Sequence, residues 1–194
     1  MLELEVDPAS NAEFRLAANS FSHANIRSEV ILDQIDAPQN LSRHALAFSC
    51  DVRSGDSDPS LFRGTGRFIL LWDDAPQESW TNNYRIILYA KAPLETDIAF
   101  DDDSAEIAWA WLMTSLEQHG ATVEVAGGTT TRVLSVGHGT LSNQNHHAEL
   151  ELRASWCPTS LDFAAHLEAW IDLICMMSGL SLHGEGVTSI DRRN

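Results

Sequence analysis

Four arginines and the only lysine of this chain fall where strand periodicity turns them to the same side of a sheet. Over His147–Trp156 the residues Ala148, Leu150, Leu152, Ala154 and Trp156 point one way, and His147, Glu149, Glu151, Arg153 and Ser155 the other. Alternation this clean marks a sheet with one buried and one open face. The same period turns Arg67, then Arg85 with Lys91, then Arg132, away from the core. Their core-side partners are Phe68, Leu70 and Trp72, then Ile86, Leu88 and Ala90, then Val133. Two chemistries fit such a face. The plainer is cross-strand pairing with Glu149 and Glu151, each pair contributing about 0.2–1 kcal/mol. The other is a cationic platform for an anionic ligand, an acidic partner segment or a second subunit, because planar guanidinium groups match carboxylate and phosphate. Trp80, in a polar loop, adds a candidate interface residue.

Other reactive side chains carry less. His138, His146 and His147, with Glu149, suggest a metal site, but adjacent residues of a strand face opposite ways and His146 and His147 cannot share an ion. Asp101-Asp-Asp103 lacks the alternating oxygens and the glycine of a calcium loop, and helix capping accounts for it. Cys157, beside Pro158 and near His166, resembles a nucleophile with a base, yet a thiolate is activated only by a base within hydrogen-bond reach. Cys50 and Cys175 fall on apolar faces, and Trp111, Trp156 and Trp170 sit at packing phases. There is no nucleophile elbow, phosphate loop or dinucleotide fingerprint. The chain therefore implies no catalytic residue, metal or cofactor.

The elements that must position these residues read as follows. Asp7-Pro8 looks like a cap and first position for a helix reaching Ser20, with Phe14, Leu16, Ala17 and Phe21 on its buried stripe. Strands follow at Val30–Ile35, His44–Val52, Arg67–Trp72 and Tyr84–Lys91, with turns or loops at Ala37–Asn40, Ser54–Ser60 and Asp73–Pro76. A helix opens at Asp101–Ser104 and stops at His119-Gly120. Gly127-Gly128 reads as a turn before a hairpin of Thr129–Val136 and His147–Trp156. The last helix carries Phe163, Leu167, Trp170, Ile174 and Met177 and ends at Gly179. The order α-β-β-β-β-α-β-β-α predicts one α+β domain over residues 1–194. It would hold an antiparallel sheet of five to six strands with helices on one face, and 1–10 and 183–194 as irregular tails. Ala110-Trp-Leu112 and Ala169-Trp-Ile171, equally spaced before Gly120 and Gly179, hint at a duplicated hairpin-helix unit.

Composition bounds the function classes. A chain of 194 residues buries roughly 70% of its unfolded surface, enough for a core without staples. Twenty-eight acidic against 12 basic residues leave a net charge of −16. Such a field repels phosphate backbones and anionic membranes, so neither nucleic acid nor membrane is expected as a partner. Three scattered cysteines and an acidic start imply a reducing cytoplasm. Eleven of the basic residues are arginine, which a GC-rich genome explains.

Gly66-Arg-Phe-Ile-Leu-Leu71, Trp109-Ala-Trp-Leu112, His119-Gly-Ala121, Ala126-Gly-Gly-Thr-Thr-Thr-Arg132 and Glu151-Leu-Arg-Ala-Ser-Trp156 together resemble the actinobacterial domain-of-unknown-function family 3000. The blocks keep that family's order and span roughly residues 11–190, departing at the N-terminal extension and the His138–His147 loop. The resemblance implies an actinobacterial, cytoplasmic protein and carries over no catalytic residue. The expectation is a noncatalytic protein-binding or regulatory module, acting as a homodimer or with a protein partner. Its element order is similar to that of small acidic secretion chaperones, an analogy of fold alone. The alternative is an enzyme or small anionic-ligand binder that uses the arginine-bearing face.

Overall fold

Alternating strands and two apolar helical stripes assemble into an open, six-stranded antiparallel sheet with three helices on one face. The computed structural model describes residues 4–53, 62–94, 103–142 and 147–181. In chain order these form α1 (Ala12–Ser20), β1 (Val30–Ile35), β2 (His44–Arg53), β3 (Phe62–Trp72), β4 (Tyr84–Leu94), α2 (Asp103–Gln118), β5 (Val123–Ser135), β6 (His147–Pro158) and α3 (Phe163–Met177). The α+β order is the one expected. The strands lie in the order β1-β2-β3-β4-β6-β5, each antiparallel to its neighbours. No helix of the described residues is long and apolar enough to cross a membrane.

The core lies between sheet and helices. Leu46, Phe48, Cys50 and Val52 of β2, Phe68, Leu70 and Trp72 of β3, Ile86, Leu88 and Ala90 of β4, and the even-numbered residues of β6 from Ala148 to Trp156 are all buried. Phe21, just past α1, meets Phe48 and Phe68 edge-on at 5.1 and 5.9 Å, and Trp170 of α3 leans on Phe68 at 5.6 Å. Every residue of α3 except Glu168 is buried, because the helix is covered by the sheet and by its neighbours.

Both long helices stop the same way. Gly120 and Gly179 adopt φ of +67° and +80°, which a side chain would strain. The N–H of Ala121 reaches the Leu116 carbonyl and that of Leu180 the Cys175 carbonyl, closing matched C-terminal motifs. At the end of α2, His119 is held between Glu168 (3.1 Å) and Asp172 (2.8 Å) of α3. Asp172 in turn accepts from Arg27 at 3.1 Å. This partly buried polar clamp links α2 to α3.

Four local expectations change. Asp7-Pro8 forms a turn, with the Ser10 N–H on the Asp7 carbonyl. Asn11 is the helix cap instead, its side chain accepting from the Glu13 N–H at 2.7 Å. Leu16 is 71% exposed, and Ala18 takes its place on the buried stripe. Gly127-Gly128 lies within β5 rather than in a turn, after an irregularity between Glu124 and Gly127 where Val125 has φ +50°. That irregularity sets the facing of the strand. Arg132 pairs with Leu150 on the helix side and Val133 with Glu149 on the open side, the reverse of the expected placement. Residues 4–10 contain no helix or strand, although Leu4 and Val6 pack against the core. The Ser54–Ser60 connection, Asp101 and the tail from His183 lie outside the described residues.

Candidate functional site

The sheet face opposite the helices is where strand register gathers the candidate side chains. One row across it reads Asp33, Ser49, Arg67, Tyr89, Arg153, Thr129. The adjoining rows read Ile35, Ala47, Ile69, Ile87, Ser155, Gly127 and Ile31, Asp51, Thr65, Lys91, Glu151, Thr131. Tyr89 thus stands between two arginines, with isoleucines in the next row.

A depression of about 460 Å³ opens at this centre, lined by Arg67, Arg153, Tyr89, Ile69, Ile87 and Thr65 among others. The Arg153 guanidinium carbon lies 5.0 Å from the Tyr89 ring centre, close enough for cation–π attraction. Its Nη1 also donates to Glu151 at 2.9 Å, while the side chain keeps 57% of its exposure. Burial, then the neighbouring Glu151 carboxylate, raises the Tyr89 phenol above its ordinary pKa. Arg67 is exposed, and its side chain makes no hydrogen bond or ion pair among the described residues. The two charged groups lining the depression are therefore both cations, beside an aromatic ring and aliphatic side chains.

The remaining candidates divide. Lys91 pairs with Glu149 at 2.9 Å, the cross-strand arrangement of the plainer account, and that contact raises its pKa. Arg85 shares the open face but is occupied: it donates to the Ser155 hydroxyl at 2.7 Å and to the Cys157 sulfur at 3.4 Å. Arg132 is on the opposite face, as described, and has contacts of its own there. Trp80 is half-buried in the β3–β4 loop and does not line the depression. So Arg67 has no side-chain partner among the described residues, Arg153 is exposed but already pairs with Glu151, and Lys91 and Arg85 are paired across strands.

Reactive groups elsewhere are kept apart. Cys157 faces the open side under the β3–β4 loop, accepting from the Thr81 N–H at 3.4 Å. Burial raises its pKa, but the Thr81 N–H and the Arg85 guanidinium outweigh that and the net direction is down. His166 lies on the other side of the sheet. Its Nδ1 accepts from the Trp156 indole at 3.2 Å, and successive strand residues Trp156 and Cys157 point to opposite faces. The cysteine–histidine pairing suggested by their proximity in sequence is thus not formed. His147 is exposed at the start of β6, and His146 lies outside the described residues.

Sequence reasoning missed Tyr89, Ile69 and Ile87. Each occupies the open-side phase of its strand, and only the pairing register reveals that they converge. A family model described as a protein of unknown function (DUF3000) matches residues 10–188, and the chain belongs to that family. No curated protein and no solved structure matches it.

Proposed function

We propose that this DUF3000 chain is a noncatalytic protein-binding module that holds an acidic partner segment on the open face of its sheet. The observation that carries the reading is Arg67 and Arg153 flanking Tyr89 over an apolar depression, in a chain of net charge −16. Two exposed guanidinium groups can take carboxylates, while Ile69, Ile87 and the Tyr89 ring can take one apolar side chain between them. The depression opens to the surface and is not an enclosed cavity, which suits a segment laid across strands better than an engulfed small ligand. The overall charge disfavours nucleic acid and anionic membrane. Free cysteines at positions 50, 157 and 175, and the lysine-poor, arginine-rich usage, support a cytoplasmic protein of a GC-rich actinobacterium.

The test is a fluorescein-labelled peptide of aspartates and glutamates around one central phenylalanine, titrated by anisotropy in low salt. Arg67→Gln with Arg153→Gln should weaken binding at least tenfold and leave the melting temperature almost unchanged, because exposed pairs contribute about 0–1 kcal/mol each. Equal binding by wild type and double variant would refute the reading. Light scattering of both proteins detects a homodimer built on this face, which the double substitution would dissociate; the acidic segment would then come from a second copy.

A further inference from the structure

The two edges of the sheet are treated differently. β1 is six residues long, carries the exposed Asp33, and is flanked by the N-terminal segment: the Gln34 side chain exchanges two hydrogen bonds with the Glu5 backbone, at 2.6 and 2.8 Å. β5 is 13 residues long and has β6 as its one strand neighbour among the described residues. From Gly127 to Ser135 it contains no proline or lysine, and three consecutive threonines favour strand. Natural edges are blunted by short length, proline, lysine, bulges, inward-pointing charges or cover. β5 has an irregularity at Glu124–Gly127 and Arg132 on its helix side, but the Gly127–Ser135 stretch is long and has neither proline nor lysine.

Beside this edge, on the helix side, lies a groove of about 890 Å³ between β5 and α2. Ile107, 42% exposed, Trp109 and Ala110 line it from the helix, and Gly128 and Thr130 from the strand. Gly128 is needed there, since a Cβ would meet the Trp109 ring at 2.9 Å and the Arg153 carbonyl at 2.5 Å. Asp103 and Glu106, in the first turn of α2, complete the lining. Arg132 stands at the next helix-side position and has contacts of its own.

We propose that β5 is a strand-addition site for an extended, basic segment of another protein. A strand laid outside β5 completes its backbone hydrogen bonds, and every second side chain turns to the helix side and enters the α2 groove. Apolar side chains at those positions meet Ile107 and Trp109. Lysine or arginine meets Glu106 and the negative field of the whole chain. A second copy fits worse, because two bodies of −16 charge each would be brought edge to edge. This site is separate from the open-face depression and takes a partner of opposite charge.

The probe is the labelled nonapeptide Lys-Val-Thr-Val-Lys-Val-Thr-Val-Lys. Two controls accompany it: one with glutamate for lysine, and one with alternate backbone nitrogens methylated so that charge is kept and the ladder is blocked. The basic probe should bind the full chain and slow amide exchange across Gly127–Ser135. Ile107→Lys should weaken it at least tenfold with unchanged melting, and Arg67→Gln with Arg153→Gln should leave it unaltered. That last comparison separates this site from the open face. Equal binding of the methylated probe would overturn the proposal, showing charge attraction alone. So would equal binding of the acidic probe, absence of protection on β5, or self-association of the chain through that edge.

Discussion

His166 is a titratable ring held neutral inside the core. It is fully buried, and the indole N–H of Trp156 donates to Nδ1, which places the ring proton on Nε2. That nitrogen finds no acceptor among the described residues, and burial pushes the pKa down to about 4. An unfolded histidine titrates near 6.5, so between pH 6.5 and 4 the unfolded chain binds the proton that the native chain refuses. Stability is then complete above about 6.5 and falls as the pH drops toward 4, with a loss on the order of 3 kcal/mol from this residue. His166→Asn keeps an acceptor near Nδ1 for Trp156 and removes the titration. Its melting temperature should change less than that of wild type from pH 7 to 4.5, the carboxylates common to both setting the remainder. Identical slopes in the two proteins would assign the acid sensitivity to other groups. Sequence made His166 tempting as a partner for Cys157, and the fold instead makes it a packed acceptor for Trp156.

At the scale of elements, α3 rests on β3 because β3 gives way to it. Gly66 lies on the core side of β3, and a Cβ there would meet the Tyr89 carbonyl at 2.6 Å, the Trp170 ring at 2.9 Å and, closer still, the Ile174 side chain. The Trp170 indole uses this space to donate to the same Tyr89 carbonyl at 3.1 Å. Gly66→Ala should therefore cost about 1–3 kcal/mol in denaturant melts, as overpacking does, and should be worst for the contact between α3 and β3. A loss within experimental error would mean that α3 shifts freely. The same elements show what was legible. Period-2 alternation placed the inner faces of β2, β3, β4 and β6, because each is a central strand with one dry side. β5 misled, because an edge strand is wet on both sides and polarity no longer reports its facing. Its glycines look like a turn, yet Gly128 is small to admit Trp109. α1 misled at its start for a local reason: Asp7 and Asn11 are both good caps, and only packing chooses between them. On the open face, the type and phase of Arg67, Arg85, Lys91 and Arg153 were readable. Which of them were already paired depended on Glu149 and Ser155 across the register for Lys91 and Arg85, and on Glu151 two residues back on the same strand for Arg153.

For the whole molecule, the question is which electrostatic effect wins. The net charge of −16 sets a general self-repulsion against folding. A few local attractions oppose it: Arg27 with Asp172 and Glu29, Lys91 with Glu149, Arg153 with Glu151. Added salt weakens both, but unequally. The Debye length falls from about 30 Å at 0.01 M to about 3 Å at 1 M, so long-range repulsion between exposed carboxylates is screened first. The Arg27 pairs, with side chains 14%, 12% and 33% exposed, are screened much less, and exposed pairs contribute only about 0–1 kcal/mol each to begin with. The melting temperature should therefore rise by several degrees between 0.01 and 0.5 M sodium chloride. Binding of the basic probe to β5 should weaken over the same range, whereas the acidic probe should change less, because salt also screens its repulsion from the −16 chain. A melting temperature that falls with salt would show that the ion pairs outweigh the repulsion. It would also mean that the −16 charge is spread too thinly to give β5 a preference for basic segments, and the two probes measured side by side would then bind that edge alike.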